Sequence, residues 1–509
     1  MRAPLLCGVD AGTSRIRAVV FDLRGRVVAA AAAPTPTCRL GPGQAEHDAD
    51  ALWSTTAAVL REVTAKLDDA ARIRGVAVAS VGEAGVLLDA AGRALAPVLA
   101  WYDTRPTAIL ERLLSALGFE RLHGLTGLCP DPTFSLLKLL WLREQHPQAW
   151  QRARAWLHVS DFLAWRLSGQ RATDTSLASR TLAFDLAQGR WAENLLTELG
   201  VPSRWLAPLA GSGERLGSMT AEAVAATGLP ADCAVGVAGH DHVCGMLAVG
   251  ADRPGVVLDS MGTAEALTCV IAAPRLDPAL GRIGFNQGMI RVREPVWYVF
   301  GGLPTSAACV EWFRTALGEP VPDHMTLIAE ARRVPPGSEG VLFLPHLRIG
   351  SPPFPDPVSR GAFLGLSDRT DRATLFRALL EGLALDAANL LRILRVDGAL
   401  PPFQRLIAIG GSTRNELLMS LKASLLETEL EIAATIEVTS LGAAMLAGLA
   451  AGLFAGLDEA RAAMMPALRA ADPAAGWPAH ERAAALLRYA RAYAAARPLL
   501  QELRGDARP

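Results

Sequence analysis

Cysteine is sparse in this sequence and shows no sign of pairing. Its seven cysteines (Cys7, Cys38, Cys129, Cys233, Cys244, Cys269 and Cys309) are scattered over 509 residues, odd in number, with no C-x-x-C pair. That pattern excludes a disulfide framework and a cysteine zinc site, and it points to a reducing compartment, the cytoplasm. An excess of charge is missing too. Lys plus Arg (50) and Asp plus Glu (51) nearly cancel, which leaves no basic footprint for nucleic acid and no polybasic run for anionic lipid. A small-molecule ligand is expected instead. The N-terminal region lacks the unbroken apolar core of an export signal, because Asp10, Arg15 and Arg17 fall where that core would lie. Charge is also absent from Val438 to Leu457, a stretch long enough to raise the question of a membrane span. It is mostly Ala and Gly, opens with the helix-capping pair Thr439 and Ser440, and carries Gly448, Gly452 and Gly456 at four-residue spacing. Tightly packed buried helices are the prediction.

About half of the chain is apolar (51%) and a fifth is charged (20%), enough for a substantial core but too long for one. Two domains follow as the natural prior. Leu5 to Val9 reads as a strand, Gly12 breaks it, Ile16 to Phe21 resumes, and Gly25 turns the chain into an apolar Val27 to Ala33. Three adjacent antiparallel strands are predicted. Asp48 then caps a helical pattern through Trp53, Val59 and Val63, and Ile73 to Ala79 supplies another strand, so the order is βββαβ. A weaker echo appears later. Val256 to Asp259 leads into Gly262 and Thr263 and an apolar run from Ala266 to Ile271; a long stripe follows through Leu375, Leu379, Leu383, Leu390 and Leu394. After it come a buried strand at Leu406 to Ile409, the glycines Gly410 and Gly411, and a further helix. One plan used twice explains this, with the boundary near Gly250 to Pro254 and a surface loop at the Pro-rich Ser351 to Pro357.

The run VDAGTSRIRAVVFD, from Val9 to Asp22, suits a phosphate. Gly12 removes the side-chain obstacle, Thr13 and Ser14 offer hydroxyls and backbone amides, and Arg17 adds positive charge. Taken alone it is also compatible with a plain hairpin and a polar turn. Asp259 to Glu265, DSMGTAE, offers a second glycine-threonine turn, and two such turns facing each other across a cleft would clamp a triphosphate from both sides.

This pairing resembles the actin, hexokinase and heat-shock ATPase superfamily, whose fold duplicates a ribonuclease H-like βββαβαβα domain with nucleotide between the halves. A narrower resemblance rests on Thr133 to Gln145, TFSLLKLLWLREQ, which is similar to the Lys and Trp segment of the FGGY carbohydrate kinases, with Lys138 and Trp141 in place. His158 to Phe184, with Thr173, Asp174 and Ser176, resembles the same family, as do Gly239 to Gly245, Arg360 to Leu366 and Ile409 to Asn415. The resemblance implies an α/β chain with residues 1–249 as a sugar-binding domain and 250–509 as an ATP-binding domain. The site would lie in the cleft between them, and ATP and Mg2+ would be the cofactors.

Residue by residue, the resemblance implies that Asp241, in AGHDHVCG, is the base that takes the proton from the attacking hydroxyl. An Asp that satisfies local amides, or a metal site made of His240, Asp241 and His242, are the other readings of that loop. Adjacent ligands without a distant partner motif make a poor metal site. Glu83, Trp101, Asp103 and Arg105 match positions that hold or flank substrate hydroxyls, although Asp103 and Arg105 also fit a structural ion pair. Gly262 and Thr263 match the second phosphate turn, and Gly410, Gly411 and Asn415 match the adenosine motif; Asp10, Gly12, Thr13, Ser14 and Arg17 complete the nucleotide side. Asp10 would also reach Mg2+ through water.

Thr133 stands where a similar glycerol-kinase segment has an aromatic, and His242 where it has an amide. KLLWLREQHP together with AGHD is closer to ketose kinases of the fuculose, rhamnulose and xylulose type. A ketose kinase is therefore the first expectation and a polyol kinase the second. An ATPase that transfers to no acceptor is the third, and a catalytically silent binding protein the last. Ala307 stands where the family often has a glycine near the nucleotide, and a homodimer is common among similar proteins.

Overall fold

A computed structural model describes residues 3–316, 320–347, 350–354, 359–396, 403–426 and 428–505. The breaks at Gly12 and Gly25 separate three strands, Leu5–Ala11, Arg15–Asp22 and Val27–Pro34, which pair antiparallel in sequence order. Asp48 caps the helix Ala49–Ala65 by accepting the Ala51 amide at 2.7 Å. The chain then returns as Ile73–Ser80, parallel to the first strand. Two short strands, Cys38–Gly41 and Gln44–His47, interrupt the predicted βββαβ order. They form a small sheet of their own with Val98–Leu99. Mostly exposed and lacking an apolar stripe, this hairpin carries no periodic signal.

A six-stranded sheet drawn from residues 5–240 places Ala234–His240 beside Ile73–Ser80, again parallel. The second half repeats the plan. Val256–Met261 pairs antiparallel with Glu265–Ile271 and parallel with Arg405–Ile409, within a seven-stranded sheet that also holds Glu429–Ala433. The predicted leucine stripe lies on the helix Arg372–Val396, with Leu379, Leu383, Leu390 and Leu394 buried in the core of that half.

The uncharged stretch after Val438 resolves into the buried helix Val438–Ala450, a turn, and the helix Leu457–Met464. Among the described residues no helix is long and apolar enough to cross a membrane. The cap sits at Glu437, two residues before the Thr439 and Ser440 read as capping from the sequence. Although it comes from the second half, the helix Val438–Ala450 packs on the strands Leu5–Ala11, Ile73–Ser80 and Ala234–His240 of the first sheet. Small residues are required there: a Cβ on Gly8 or Gly75 would strike the backbone carbonyl of Ser440 or Ala447. Of the Pro-rich piece, Ser351 and Pro352 are buried rather than on the surface, and residues 355–357 lie outside the described residues.

Candidate active site

Between the two sheets lies a cavity of about 660 Å³, bordered by both glycine turns. Register places Asp10 opposite Arg17 at the end of the first strand, so the turn Gly12–Ser14 opens at the strand's C-terminal edge. Its mirror, Gly262–Thr263, follows Met261 in the second sheet. The turns face each other closely: Ser14 Oγ and Thr263 Oγ1 are 3.5 Å apart. Ser306 and Ala308, at the start of the helix Ala307–Ala316, donate their amides to the Thr263 carbonyl at 3.2 Å. Ala307 donates to the Gly262 carbonyl at 3.4 Å, so it supports the turn through its backbone. Gly410 and Gly411 border the same cavity, Gly410 at φ +98 where a Cβ would strike the Met261 carbonyl.

Asp241 opens the helix Asp241–Ala248 directly after the strand Ala234–His240, which carries it to the cavity. Its carboxylate accepts the His242 amide at 2.7 Å. Burial pushes its pKa up to about 7, with Glu83 adding to the shift. Asp10 is likewise pushed up to about 7, first by burial and then by Asp241, and its Oδ1 is buried without a hydrogen-bond partner. Burial pushes His240 well below the usual imidazole range and His242 down to about 4, so both rings are neutral near pH 7. Asp241 can thus exchange a proton near neutral pH, beside imidazoles that do not compete for it. His242 Nδ1 lies 2.8 Å from Ser260 Oγ. Donor atoms of His240, Asp241 and His242 fall within 4.8 Å of one another, so the strand-to-helix junction does bring these adjacent residues together.

The end of the cavity around Glu83 is built mainly from the first half. Glu83 holds a positive φ of 59 and pairs with Arg180, whose Nε donates to Glu83 Oε1 at 2.6 Å. The guanidinium lies 5.3 Å from the Phe134 ring and 4.8 Å from the Phe300 ring. Lys138 is fully buried, its pKa lowered to about 7 by that burial; it donates to the carbonyls of Trp101 at 3.0 Å and Glu83 at 3.4 Å. Trp101 donates its indole N–H to Thr13 Oγ1 at 2.8 Å, linking this end to the first turn. Thr133 borders the cavity here beside Asp131.

Three predicted contacts do not line the cavity. Asp103 and Arg105 form a buried ion pair at 2.9 Å that extends to Glu46 at 3.1 Å, with Arg105 stacked 4.8 Å over Trp141. Of their two sequence readings, the geometry matches the structural one, because Arg105 engages both carboxylate oxygens of Asp103 and Oδ2 also accepts the Ala45 amide at 2.9 Å. Asn415 accepts the Leu418 amide at 3.1 Å and caps the helix Glu416–Leu425. Arg17 borders the cavity but is paired with Glu437 at 2.9 Å, so its charge is already compensated.

Sequence reasoning missed Arg180, Asp131, Glu437 and Lys422. Lys422 is buried and bonds Asp259 at 2.5 Å and Glu265 at 2.6 Å, beneath the second turn. A lysine inside the apolar pattern of ELLMSLKASL was a legible signal. Arg180 and Glu437 gave none, because their partners are 97 and 420 residues away.

Known proteins resemble this chain over most of its length. The N-terminal domain model of the FGGY family of carbohydrate kinases matches residues 5–248, and the C-terminal domain model matches residues 260–451. The chain is 29% identical over 464 residues to the L-fuculokinase of Escherichia coli O157:H7, covering 91% of this chain and 96% of that one. It is 34% identical over 450 residues to the glycerol kinase of Gloeobacter violaceus, covering 86% of each. The crystal structure of xylulose kinase from Rhodospirillum rubrum superposes with a TM-score of 0.83 at 28% identity, covering 98% of this chain and 100% of that one.

Proposed function

The chain belongs to the FGGY family of carbohydrate kinases, and on that premise we propose that it transfers the γ-phosphoryl group of ATP to a hydroxyl of a small ketose. Its two α/β domains have the actin/hexokinase-like fold. We put the division between them at residues 249/250, a reading supported by the position of these residues between the helix Asp241–Ala248 and the strand Val256–Met261. The free thiols suit the cytoplasm.

The observation that carries the reading is Asp241, half-buried in the cavity shared by both phosphate turns with its pKa raised to about 7. In the transfer, the acceptor hydroxyl oxygen bonds to the γ-phosphorus, the bond from that phosphorus to the β-γ bridging oxygen breaks, and ADP leaves. The hydroxyl proton passes to the Asp241 carboxylate. The amides and hydroxyls of Gly12–Ser14 and Gly262–Thr263 would hold the phosphates, with Gly410 and Gly411 against the adenosine. Glu83, Trp101, Thr133 and His242 would face the sugar.

Mg2+ fits this site. The unpartnered Oδ1 of Asp10 and the pKa values of Asp10 and Asp241, raised first by burial and then by the neighbouring carboxylates Asp241 and Glu83 respectively, describe a place short of positive charge. Asp10, with Asp241 nearby, would hold the ion, which would compensate phosphate charge.

Asp241→Asn is expected to keep ATP affinity and lose about 10²- to 10⁴-fold in turnover; wild-type ADP release in that variant would remove Asp241 from the mechanism. A polyol acceptor is the second reading, favoured by the 34% identical glycerol kinase. ADP release measured across ketoses and polyols separates the two.

A further inference from the structure

Positive charge is scarce at the acceptor end. Arg180 is the cation there whose guanidinium lies against the cavity, and Glu83 cancels it by taking both Nε, at 2.6 Å, and Nη2 on the same oxygen. The remaining ionisable groups that border this end are the carboxylates of Asp131, Asp241 and Asp10 and the imidazoles of His240 and His242. Arg17, farther along, is cancelled by Glu437 at 2.9 Å, and Arg15 and Arg414 border the cavity beside the Gly12–Ser14 turn and the Gly410–Gly411 pair instead. A sugar bearing a carboxylate at the Glu83 end would therefore have to shed its water beside like charges, with no uncompensated cation lining that end among the described residues.

Arg180 also keeps a donor in reserve. Its Nη1 is buried without a hydrogen-bond partner, held between the rings of Phe134 and Phe300. A neutral acceptor satisfies both members of the pair: a hydroxyl donates to Glu83, and a neighbouring oxygen accepts from Arg180.

We infer that the Glu83–Arg180 pair is a charge filter, in which Glu83 masks the arginine so that the site takes neutral sugars and rejects sugar acids. This inference rests on the sugar-kinase reading above. It also predicts how the filter fails. Without the Glu83 charge, a bare guanidinium faces the cavity, and a planar fork of N–H groups is matched by a carboxylate.

The test measures ADP release with a neutral ketose and with an aldonate of the same carbon number, for wild type, Glu83→Gln and Arg180→Met. Wild type is expected to prefer the ketose in kcat/KM. Glu83→Gln should lower that preference about tenfold or more, through a gain on the aldonate as well as a loss on the ketose. Arg180→Met should keep or raise the preference, since it removes the cation. Binding supplies a readout independent of turnover: the aldonate should raise the melting temperature of Glu83→Gln and leave that of wild type unmoved. If both variants fold and lose activity on both acceptors in equal proportion, the pair is structural and the inference is overturned. Equal use of both acceptors by wild type overturns it as well and leaves the kinase reading standing. Should Arg180→Met fail to fold, the nearly isosteric Glu83→Gln decides alone. No transfer by wild type to ketose, aldonate or polyol would sink the kinase reading and the inference together.

Discussion

The turn after Asp10 and the turn after Asp259 share a backbone plan and differ in their electrostatics. Each follows a buried strand, pairs antiparallel with the next strand, and borders the same cavity. Asp259 meets the ammonium of Lys422 at 2.5 Å, and the same lysine holds Glu265 at 2.6 Å. Asp10 has no ion-pair partner among the described residues, and burial beside Asp241 pushes it up to about 7. Duplication has thus left one acidic turn neutralised from beneath and one short of a cation. On the proposed reading, the second turn would hold phosphate through backbone and hydroxyl groups, whereas the first would also offer a carboxylate to a metal ion.

Substituting the two aspartates tests the difference most sharply. Asp10→Asn should cost about 10²- to 10³-fold in kcat with no loss of melting temperature, because a carboxylate with a buried, unpartnered Oδ1 is replaced by a neutral group of its own shape. Asp259→Asn should do the reverse, sparing most of the turnover and lowering stability, since Lys422 loses one of its partners. Paired kinetics and thermal melts read both outcomes. Equal kinetic losses in the two variants would abolish the distinction between the turns.

Lys422→Met attacks the second turn from below. It strands Asp259 and Glu265 without their cation in a fully buried site, and a loss of about 3–5 kcal/mol in unfolding free energy is expected. Chemical denaturation of the variant checks this. A loss below about 1 kcal/mol would mean that the carboxylates neutralise by taking up protons.

The two turns also differ in how far the sequence foretold them. Gly12 and Gly262 were legible because each interrupts an apolar strand run and is followed at once by a threonine. The strands around them were legible because apolar runs such as Leu5 to Val9 have few other uses. Asp48 announced its helix by chemistry confined to three residues. The groups that set the charge of the site obey no such local rule. Lys422 reaches across 163 residues to Asp259, and Arg180 across 97 to Glu83, so neither pair leaves a spacing to find. Asp103 and Arg105, two positions apart, looked like site residues because a carboxylate and a guanidinium so close together serve equally well to bind a sugar or each other. Only their burial and the Ala45 amide separate the two uses.

Proton occupancy should mark the first turn. On the proposed reading Asp10 and Asp241, both near pKa 7, must be ionised to hold a metal ion and to accept a proton, so turnover should fall ever more steeply as pH drops from 7 to 5, approaching about a hundredfold per pH unit. Stability should run the opposite way. Their folded pKa values exceed the unfolded ones, so the folded state binds more protons, and melting temperature should decline as pH rises from about 4 through 7. Mg2+ with ATP should flatten that decline, and chelation with EDTA should restore it. A melting temperature independent of pH across this range would argue that both carboxylates are compensated as Asp259 is.

The smallest expected effect concerns a contact that the second turn lacks. Trp101 donates its indole N–H to Thr13 at 2.8 Å, while Lys138 holds the Trp101 carbonyl at 3.0 Å and also reaches the Glu83 carbonyl. The first turn is thereby tied to the wall of the acceptor pocket through one side chain and one buried amine. Trp101→Phe keeps an aromatic wall and deletes the hydrogen bond, worth about 1 kcal/mol, or roughly fivefold. If the tie transmits occupancy of the acceptor pocket to the phosphate turn, the sugar should tighten ATP binding in wild type and do so several-fold less in Trp101→Phe. ATP affinity without sugar should change little. By reciprocity the enhancement of sugar binding by ATP must shrink by the same factor, so titrations in both orders check each other. A variant in which ATP affinity drops equally with and without sugar would reduce Trp101 to a prop for Thr13, and the first turn would then differ from the second in its charge alone.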